Sequence, residues 1–154
     1  MKLSEKNFYE DLEVGYSYET PAITVGEAHI LGFAGLTGDF ADVHVDETFA
    51  QEMGFRGRIA HGILGLGLID ALKNRCLVGF HVVAALNWNW RFAGPLYIGD
   101  RLGARLTILD KRLTRKGDRG IVTLEIKGIN QNGEVVQEGQ NQIMVLCRPS
   151  GNPK

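Results

Sequence analysis

The sequence predicts an α+β domain in which a long antiparallel sheet wraps around one buried central helix. Helix signals are confined to the first half of the chain, and from Gly79 onward the sequence reads as successive strands. Residues 61–73 are apolar on nearly every side, which suits a helix that is buried all round. A chain of 154 residues has the length of one domain, so we expect a single domain over 1–154, with an N-terminal extension at 1–15 and a frayed tail at 148–154.

Two helices of the first half are predicted by residues that cap their ends. Thr24 followed by Glu27 fits a capping box, in which the two residues satisfy each other's backbone N–H groups, and Gly38 ends this helix. Asp46 caps a second, short helix, which we expect to end before a left-handed glycine at Gly54.

The second half is predicted to be a meander of antiparallel strands. Apolar and polar residues alternate over Gly120–Ile129 with the period of a half-buried strand. Asn132-Gly133 is the strongest hairpin signal in the chain. Further strands are expected at Val82–Phe92, Arg101–Thr114 and Val135–Leu146.

The composition excludes several classes of protein. A hydrophobic fraction of 44% argues against a disordered chain, and the 20 glycines have no collagen period. A net charge of −1 gives no positive field, so we expect no binding to nucleic acid or to a membrane. The apolar runs fall short of the roughly 20 residues that span a bilayer, and no signal peptide follows Met1. With two distant cysteines, Cys76 and Cys147, we expect a cytoplasmic protein with free thiols.

A carboxylate and an imidazole stand close together between the first two helices. Asp39 is followed five residues later by His44, on an irregular segment. If both side chains face a small cavity, they can hold one water and move protons to and from it, because an imidazole gains and loses a proton near neutral pH. The alternative is that Asp39 caps a turn and His44 is a packed, hydrogen-bonded side chain.

Gly62 stands at the start of the predicted buried helix, directly after His61. Backbone N–H groups at a helix start lack an acceptor and carry partial positive charge, so one of them can bind a developing oxyanion. Because Gly62, Gly65 and Gly67 each cost helix stability, we expect a ligand carbonyl or a partner's backbone to come close to this helix. The alternative is a plain helix start with His61 as a buried polar residue.

A third motif, Phe-x-x-Pro-x-x-x-Gly-Asp, runs from Phe92 to Asp100 and breaks the strand pattern with a bend. We interpret this motif as architectural. In this order the three motifs resemble the MaoC-like dehydratases, which include the (R)-specific enoyl-CoA hydratases of the hot-dog fold. The likeness runs from about Tyr16 to Val145.

The resemblance implies a function and a role for each matching residue. Asp39 and His44 match the pair that positions and activates the water, and Gly62 matches the residue whose N–H polarises the thioester carbonyl. His61 is expected to shape the pocket. The substrate would be a 2-enoyl thioester of coenzyme A, hydrated to a (3R)-3-hydroxyacyl thioester or formed by the reverse dehydration, without metal or redox cofactor.

Two positions depart from the family pattern. Many members carry Asn-Pro where this chain has Ala41-Asp42, which leaves the geometry of that loop open. Some members place a serine about two turns along the buried helix, near the position of Asp70, so that role is not carried over.

Coenzyme A is anionic and needs cationic partners. Arg56, Arg58 and Arg91 are our candidates, with the run Lys111–Lys116 as a further one whose alternative is a solvated charged face. The resemblance also implies a homodimer that joins two sheets, with the sites near the interface.

Several alternatives stay open at this stage. Trp88 and Trp90 share one strand face and are expected in the core or the interface, with adenine stacking as the alternative. Other functions on the same fold are an acyl-CoA thioesterase, a non-catalytic acyl-thioester-binding protein, and a hydratase of a branched or dicarboxylic enoyl-CoA held by Arg58 or Arg91.

Overall fold

The computed structural model describes residues 1–149 and has the predicted α+β architecture. Four helices are followed by long strands: α1 (Glu27–Thr37), α2 (Asp42–Val45), α3 (Glu47–Glu52) and α4 (Gly62–Lys73). The strands are β1 (Lys6–Asn7), β2 (Ser17–Glu19), β3 (Ile23–Thr24), β4 (Gly79–Phe80), β5 (Val82–Phe92), β6 (Arg101–Leu113), β7 (Arg119–Ile129) and β8 (Val135–Leu146). An antiparallel sheet runs in the order β2-β6-β7-β8-β5, with β3 also paired to β6.

Strands β6, β7 and β8 form the predicted meander, whereas β5 pairs with β8 and not with β6, the next strand in the chain. Along β7, Val122, Leu124 and Ile126 are at most 1% exposed and alternate with half-buried residues. Gly133 has a φ of 80° in the turn between β7 and β8, which confirms the predicted hairpin. Strand β5 lies at one end of the sheet order, so one of its edges has no strand partner within residues 1–149.

Helix α4 packs on the inner face of this sheet through one side only. Leu64, Ile69 and Leu72 are buried in the core, whereas Ile63 is 57% exposed and Gly67 lies in open space. The expectation of a helix buried all round is therefore wrong for a single chain. The sheet covers only one side of the helix. An apolar sequence does not show which sides of a helix the rest of the chain covers.

For α1, the predicted end at Gly38 is confirmed and the predicted N-cap at Thr24 is wrong. Thr24 does not cap α1, because it belongs to β3 and pairs with Arg101; the N-cap is Gly26, whose N–H donates to His29 Nδ1 at 2.9 Å. Gly38 ends α1 with a φ of 79°, as predicted.

The second predicted helix is confirmed. Asp46 accepts a hydrogen bond from the Phe49 N–H at 3.0 Å and begins α3, and Gly54 follows with a φ of 88°. The single-turn helix α2, directly before α3, was not predicted.

The N-terminal extension packs on the rest of the domain. Strand β1 pairs with β4, and the fully buried Asn7 binds the Gly79 carbonyl through its side chain at 3.0 Å. Arg148, the first residue of the predicted frayed tail, pairs with Asp11 at 2.7 Å, while residues 150–154 lie outside the described part of the chain. No helix of residues 1–149 has the length and apolar character needed to cross a membrane.

Gly139 on β8 packs closely against the backbone of β5. A Cβ atom there would overlap the carbonyl oxygen of Asn89 and lie 2.9 Å from the Trp90 Cα, both backbone atoms. We expect Gly139→Ala to reduce the free energy of unfolding by about 1–3 kcal/mol, measured by thermal or urea unfolding. Gly32→Ala is the matched control, because Gly32 is exposed on α1 with open space around it; its replacement should stabilise by roughly 0.5–1 kcal/mol. Equal effects would contradict the close packing of β5 on β8.

Candidate active site

Three side chains from two separate segments meet at the C-terminal end of α1. Asp39 follows the left-handed turn at Gly38, His44 lies on α2, and His61 directly precedes α4. One donor atom of each lies within 4.8 Å of those of the other two. The structure therefore brings together Asp39 and His44 as expected from the sequence, and adds His61 to the pair.

Helix α2 is what presents His44. Asp42 is its first residue and Ala41 its N-cap, the two positions at which the sequence departs from the pattern described above. Proline is common at the first position of a helix, and a carboxylate there also interacts favourably with the helix dipole. Asp42 is thus compatible with the same turn.

The hydrogen bond of His44 determines which of its ring nitrogens is free. Nδ1 lies 2.8 Å from the carbonyl oxygen of Ile59. A carbonyl can only accept, so Nδ1 carries the proton and Nε2 keeps its lone pair. Nε2 has no hydrogen-bond partner among residues 1–149, so it can accept a proton from a bound water.

Asp39 has a carboxylate that is exposed and not paired with a cation in the described part of the chain. Its Oδ1 accepts one long hydrogen bond, from the Ala41 N–H at 3.3 Å. Most of its acceptor capacity therefore remains free for a water or a substrate hydroxyl.

His61 is buried and contacts both of the other two residues. It is 3% exposed and lies between the rings of Phe33 and His44, with centroid distances of 4.8 and 3.8 Å. Its Nε2–H donates to the backbone carbonyl of Asp39 at 2.9 Å, and its buried Nδ1 has no hydrogen-bond partner among residues 1–149. His61 thus ties the backbone of Asp39 to the ring of His44.

The same donor set must be weighed as a metal site. A carboxylate and two imidazoles are ordinary ligands of transition metals. The rings of His44 and His61, however, are stacked with only 29° between their planes. Lone pairs lie in the ring plane, so they do not converge on one ion. The geometry favours proton transfer over chelation.

Gly62 is the first residue of α4, and its N–H has no backbone acceptor within residues 1–149. The ring of Phe92 covers its Cα so closely that a Cβ would lie 2.8 Å from a ring carbon. At Gly65 a Cβ would overlap the side-chain amide of Gln137. Side chains of the sheet, rather than a ligand or a partner backbone, thus account for these two glycines; only Gly67 faces open space.

Each of the three candidate arginines is in an ion pair. Arg56 binds the buried Asp100 at 2.6 Å and remains 59% exposed. Arg58 pairs with Glu27 at 2.9 Å and also with Glu47.

Arg91 pairs with Glu138 on the outer face of the sheet, away from Gly62, and lowers the pKa of that carboxyl. The two side chains line a cavity of about 350 Å³ there.

The remaining sequence candidates have structural contacts. Lys111 donates to the carbonyl oxygens of Tyr9 and Leu12 at 3.2 and 2.6 Å. Trp88 and Trp90 pack against the core, with Lys73 over the Trp88 ring at 4.7 Å. This core packing is one of the two positions expected for the tryptophans.

Sequence reasoning missed three groups at the site. The Ile59 carbonyl that orients His44 is a backbone atom, so no residue type could indicate it. Phe33 and Gln137 reach the site only through the packing of α1 and β8 against α4. The signal available for Gln137 is its place with Asn141 on the face of β8 that also carries the apolar Ile143 and Val145.

The sequence and the fold of this chain are similar to those of known proteins. Residues 11–129 match the family described as MaoC like domain. The chain is 34% identical over 142 residues to an (R)-specific enoyl-CoA hydratase of Rhodospirillum rubrum, covering 92% of this chain and 94% of the relative. It is 30% identical over 146 residues to a 3-hydroxybutyryl-CoA dehydratase of Methylorubrum extorquens, covering 95% of this chain and 88% of the relative. The crystal structure of a MaoC-like dehydratase from Rhodospirillum rubrum superposes with a TM-score of 0.83 at 30% identity, over 93% of this chain and 99% of that one.

The named relatives are hydro-lyases, and the solved structures that resemble this chain have the hot-dog fold, so the chain is a hydro-lyase with that fold. The chain belongs to the MaoC-like dehydratase family.

Proposed function

We propose that this protein adds water across the 2,3 double bond of a 2-enoyl-CoA to give a (3R)-3-hydroxyacyl-CoA, and catalyses the reverse dehydration. The observation that carries the proposal is that a ring nitrogen of His44 and a carboxylate oxygen of Asp39 lie within 4.8 Å of each other, near the N-terminal end of the helix that begins with Gly62. The names of the relatives support the same reaction.

The reaction follows from the roles of these groups. Asp39 accepts a hydrogen bond from a water and orients it, while His44 Nε2 takes one of its protons as the hydroxide oxygen bonds to C3. The electron pair of the double bond moves to the thioester oxygen, where the Gly62 N–H stabilises the negative charge. His44 then gives its proton to C2, so that the elements of one water are added and both side chains return to their first state.

Coenzyme A would be held by cations at the rim of the site. Arg56 suits this role because its guanidinium is exposed, lies 4.1 Å above the ring of Tyr97 and borders a cavity of about 450 Å³. Arg58 and Arg91 would have to share their charge with the glutamates that already bind them.

We also propose a role in acyl-CoA or fatty acid metabolism in the cytoplasm. Cys76 and Cys147 carry free thiols, and burial raises the pKa of both. Thiols of this kind are usual in a reducing compartment.

The direct test is the ultraviolet absorbance of the conjugated enoyl thioester after protein is added. We expect the absorbance of crotonyl-CoA to fall without release of free thiol, and chiral chromatography to show the (3R) product. Release of thiol would indicate a thioesterase, and an unchanged spectrum a binding protein. A panel of longer, branched and dicarboxylic enoyl-CoAs then identifies the acyl group.

We further propose a homodimer formed through the free edge of β5. Val82, Val83 and Leu86 on this strand are 49%, 43% and 42% exposed, and an apolar edge strand without a partner favours pairing with a second copy. We expect the double change Val83→Lys and Leu86→Lys to give the mass of one chain in light scattering after size exclusion, where the unmodified protein gives twice that mass. Leu113→Lys, at a position 54% exposed on β6, is the control and should leave the mass unchanged. A single-chain mass for the unmodified protein would contradict the dimer.

A further inference from the structure

A buried amide connects the sheet to the first turn of α4. Gln137, on β8, is 2% exposed. Its Nε2 donates to the carbonyl oxygen of Gly62 at 3.1 Å, and its Oε1 accepts from the Trp90 indole N–H at 3.0 Å. Burying an amide is costly unless it is hydrogen-bonded, so an amide with both ends bonded marks a specific arrangement.

The Gly62 N–H is the group whose direction has to be fixed. It shares one peptide plane with the carbonyl of His61, which accepts from the Gly65 N–H at 3.2 Å. Glycine is the most mobile residue, and the first turn of a helix lacks part of its hydrogen bonds. An oxyanion donor on such a turn is therefore well oriented only if another group holds the turn in place.

Gln137 contacts the turn at both of these glycines. It binds the Gly62 carbonyl, and its amide lies against the Cα of Gly65, where no Cβ could fit. The Gln137 side chain thus contacts both the peptide unit that follows the Gly62 N–H and Gly65, whose own N–H closes the first turn. Trp90 in turn fixes the rotation of the amide, since its indole N–H can only donate and so faces the amide oxygen.

We propose that Gln137 is a positioning residue that orients the Gly62 N–H toward the thioester oxygen, with Trp90 holding the Gln137 amide. The inference rests on the proposed hydratase function for its kinetic part. Misplacing a catalytic group by about 1 Å can cost about 100-fold in rate, which sets the scale of the expected effect.

The main test replaces the amide by a carboxyl of the same shape. In Gln137→Glu the ionised group still accepts from Trp90 but has no proton to donate to Gly62. We expect kcat for crotonyl-CoA to fall about 10- to 100-fold with little change in KM. Burial raises the pKa of a carboxyl, and the protonated form regains a donor; the ratio of variant to wild-type kcat should therefore rise as the pH is lowered. Trp90→Phe, which frees the amide to rotate, should give a smaller loss in the same direction.

A second buried amide provides the matched control. Asn141 lies on the same strand and is 0% exposed; it accepts from Lys73 Nζ at 2.9 Å and donates to the Asn87 carbonyl at 2.8 Å. Asn141→Asp makes the same chemical change at the last turn of α4. It should reduce thermal stability without lowering kcat by more than about twofold and without a change in the pH profile. A loss of kcat as large as that of Gln137→Glu would overturn the proposal.

Amide hydrogen exchange gives a readout that needs no activity. We expect the Gly65 N–H to exchange about tenfold or more faster in Gln137→Glu than in the wild type, and to be unaffected in Asn141→Asp. Unchanged exchange of Gly65 would overturn the positioning role. If the wild type hydrates no enoyl thioester, the proposed function fails instead, and the exchange result still decides whether Gln137 holds the turn.

Discussion

His44→Ala and Asp39→Asn should each lower kcat for hydration of crotonyl-CoA by about 10²- to 10⁴-fold, the range in which general acid–base catalysis contributes. His44 is well placed to take the proton, because its Nδ1 is committed to the Ile59 carbonyl and its Nε2 is free in the described structure. Asparagine at position 39 keeps the hydrogen-bond geometry but loses the negative charge that orients the water. Steady-state rates on purified variants of confirmed folding measure both losses.

The control for these changes lies three residues from Asp39. Asp42 is an exposed carboxylate on α2, close to His44 in sequence but outside the cluster of donor atoms. Asp42→Asn should leave kcat within about threefold of the wild type, since it removes only an interaction with the helix dipole. If Asp39→Asn were equally harmless, the mechanism would lose its water-orienting group.

Asp100→Ala should cause a large loss of stability. Asp100 is 1% exposed and accepts hydrogen bonds from Arg56, from Gln131 Nε2 at 2.9 Å and from the Tyr97 N–H at 2.9 Å. Removing the carboxylate leaves these donors without an acceptor, which should cost about 2–4 kcal/mol. For a domain of this size that loss lowers the melting temperature by roughly 4–16 °C, measured by calorimetry.

An exposed aspartate separates the loss of charge from the loss of buried hydrogen bonds. Asp118 lies in the turn between β6 and β7, is 53% exposed and pairs only with the neighbouring Arg119 among residues 1–149. Asp118→Ala should change the free energy of unfolding by no more than about 0.5 kcal/mol. A comparable loss in both variants would mean that Asp100 stabilises the fold through general electrostatics.

The elements best predicted from the sequence are those with a local signal. The alternation in β7, the turn at Gly133 and the caps at Gly38 and Asp46 depend on residues near one another in the chain. Thr24 shows the limit, because a capping box is a local preference and the pairing of β3 with β6 outweighs it. The exposed side of α4 shows another limit, since coverage by the sheet is a long-range property.

For the site, the sequence motif predicted the pair and not its surroundings. Asp39 and His44 are close in the chain, so a short turn and helix α2 suffice to bring them together. The groups that hold them in place come from residues distant in sequence. The carbonyl of Ile59 orients the ring of His44, and the ring of His61 binds the backbone of Asp39. Glycines are unusual in a helix such as α4, yet the side chain that leaves no room for a Cβ at Gly65 belongs to Gln137 on the last strand.

The two amides of β8, Gln137 and Asn141, also restrict the position of α4 on the sheet. Three of the twelve residues of α4 are glycine, which leaves fewer side chains to fix the position of the helix along its own axis. A slip of one turn, about 5.4 Å, would move the first and last turns away from Gln137 and Asn141. Each amide would then be buried without its partner, at a cost of about 1–3 kcal/mol apiece. The two amides thereby favour one position of α4 along its axis over positions shifted by one turn. The same polar groups therefore help to specify a single native structure.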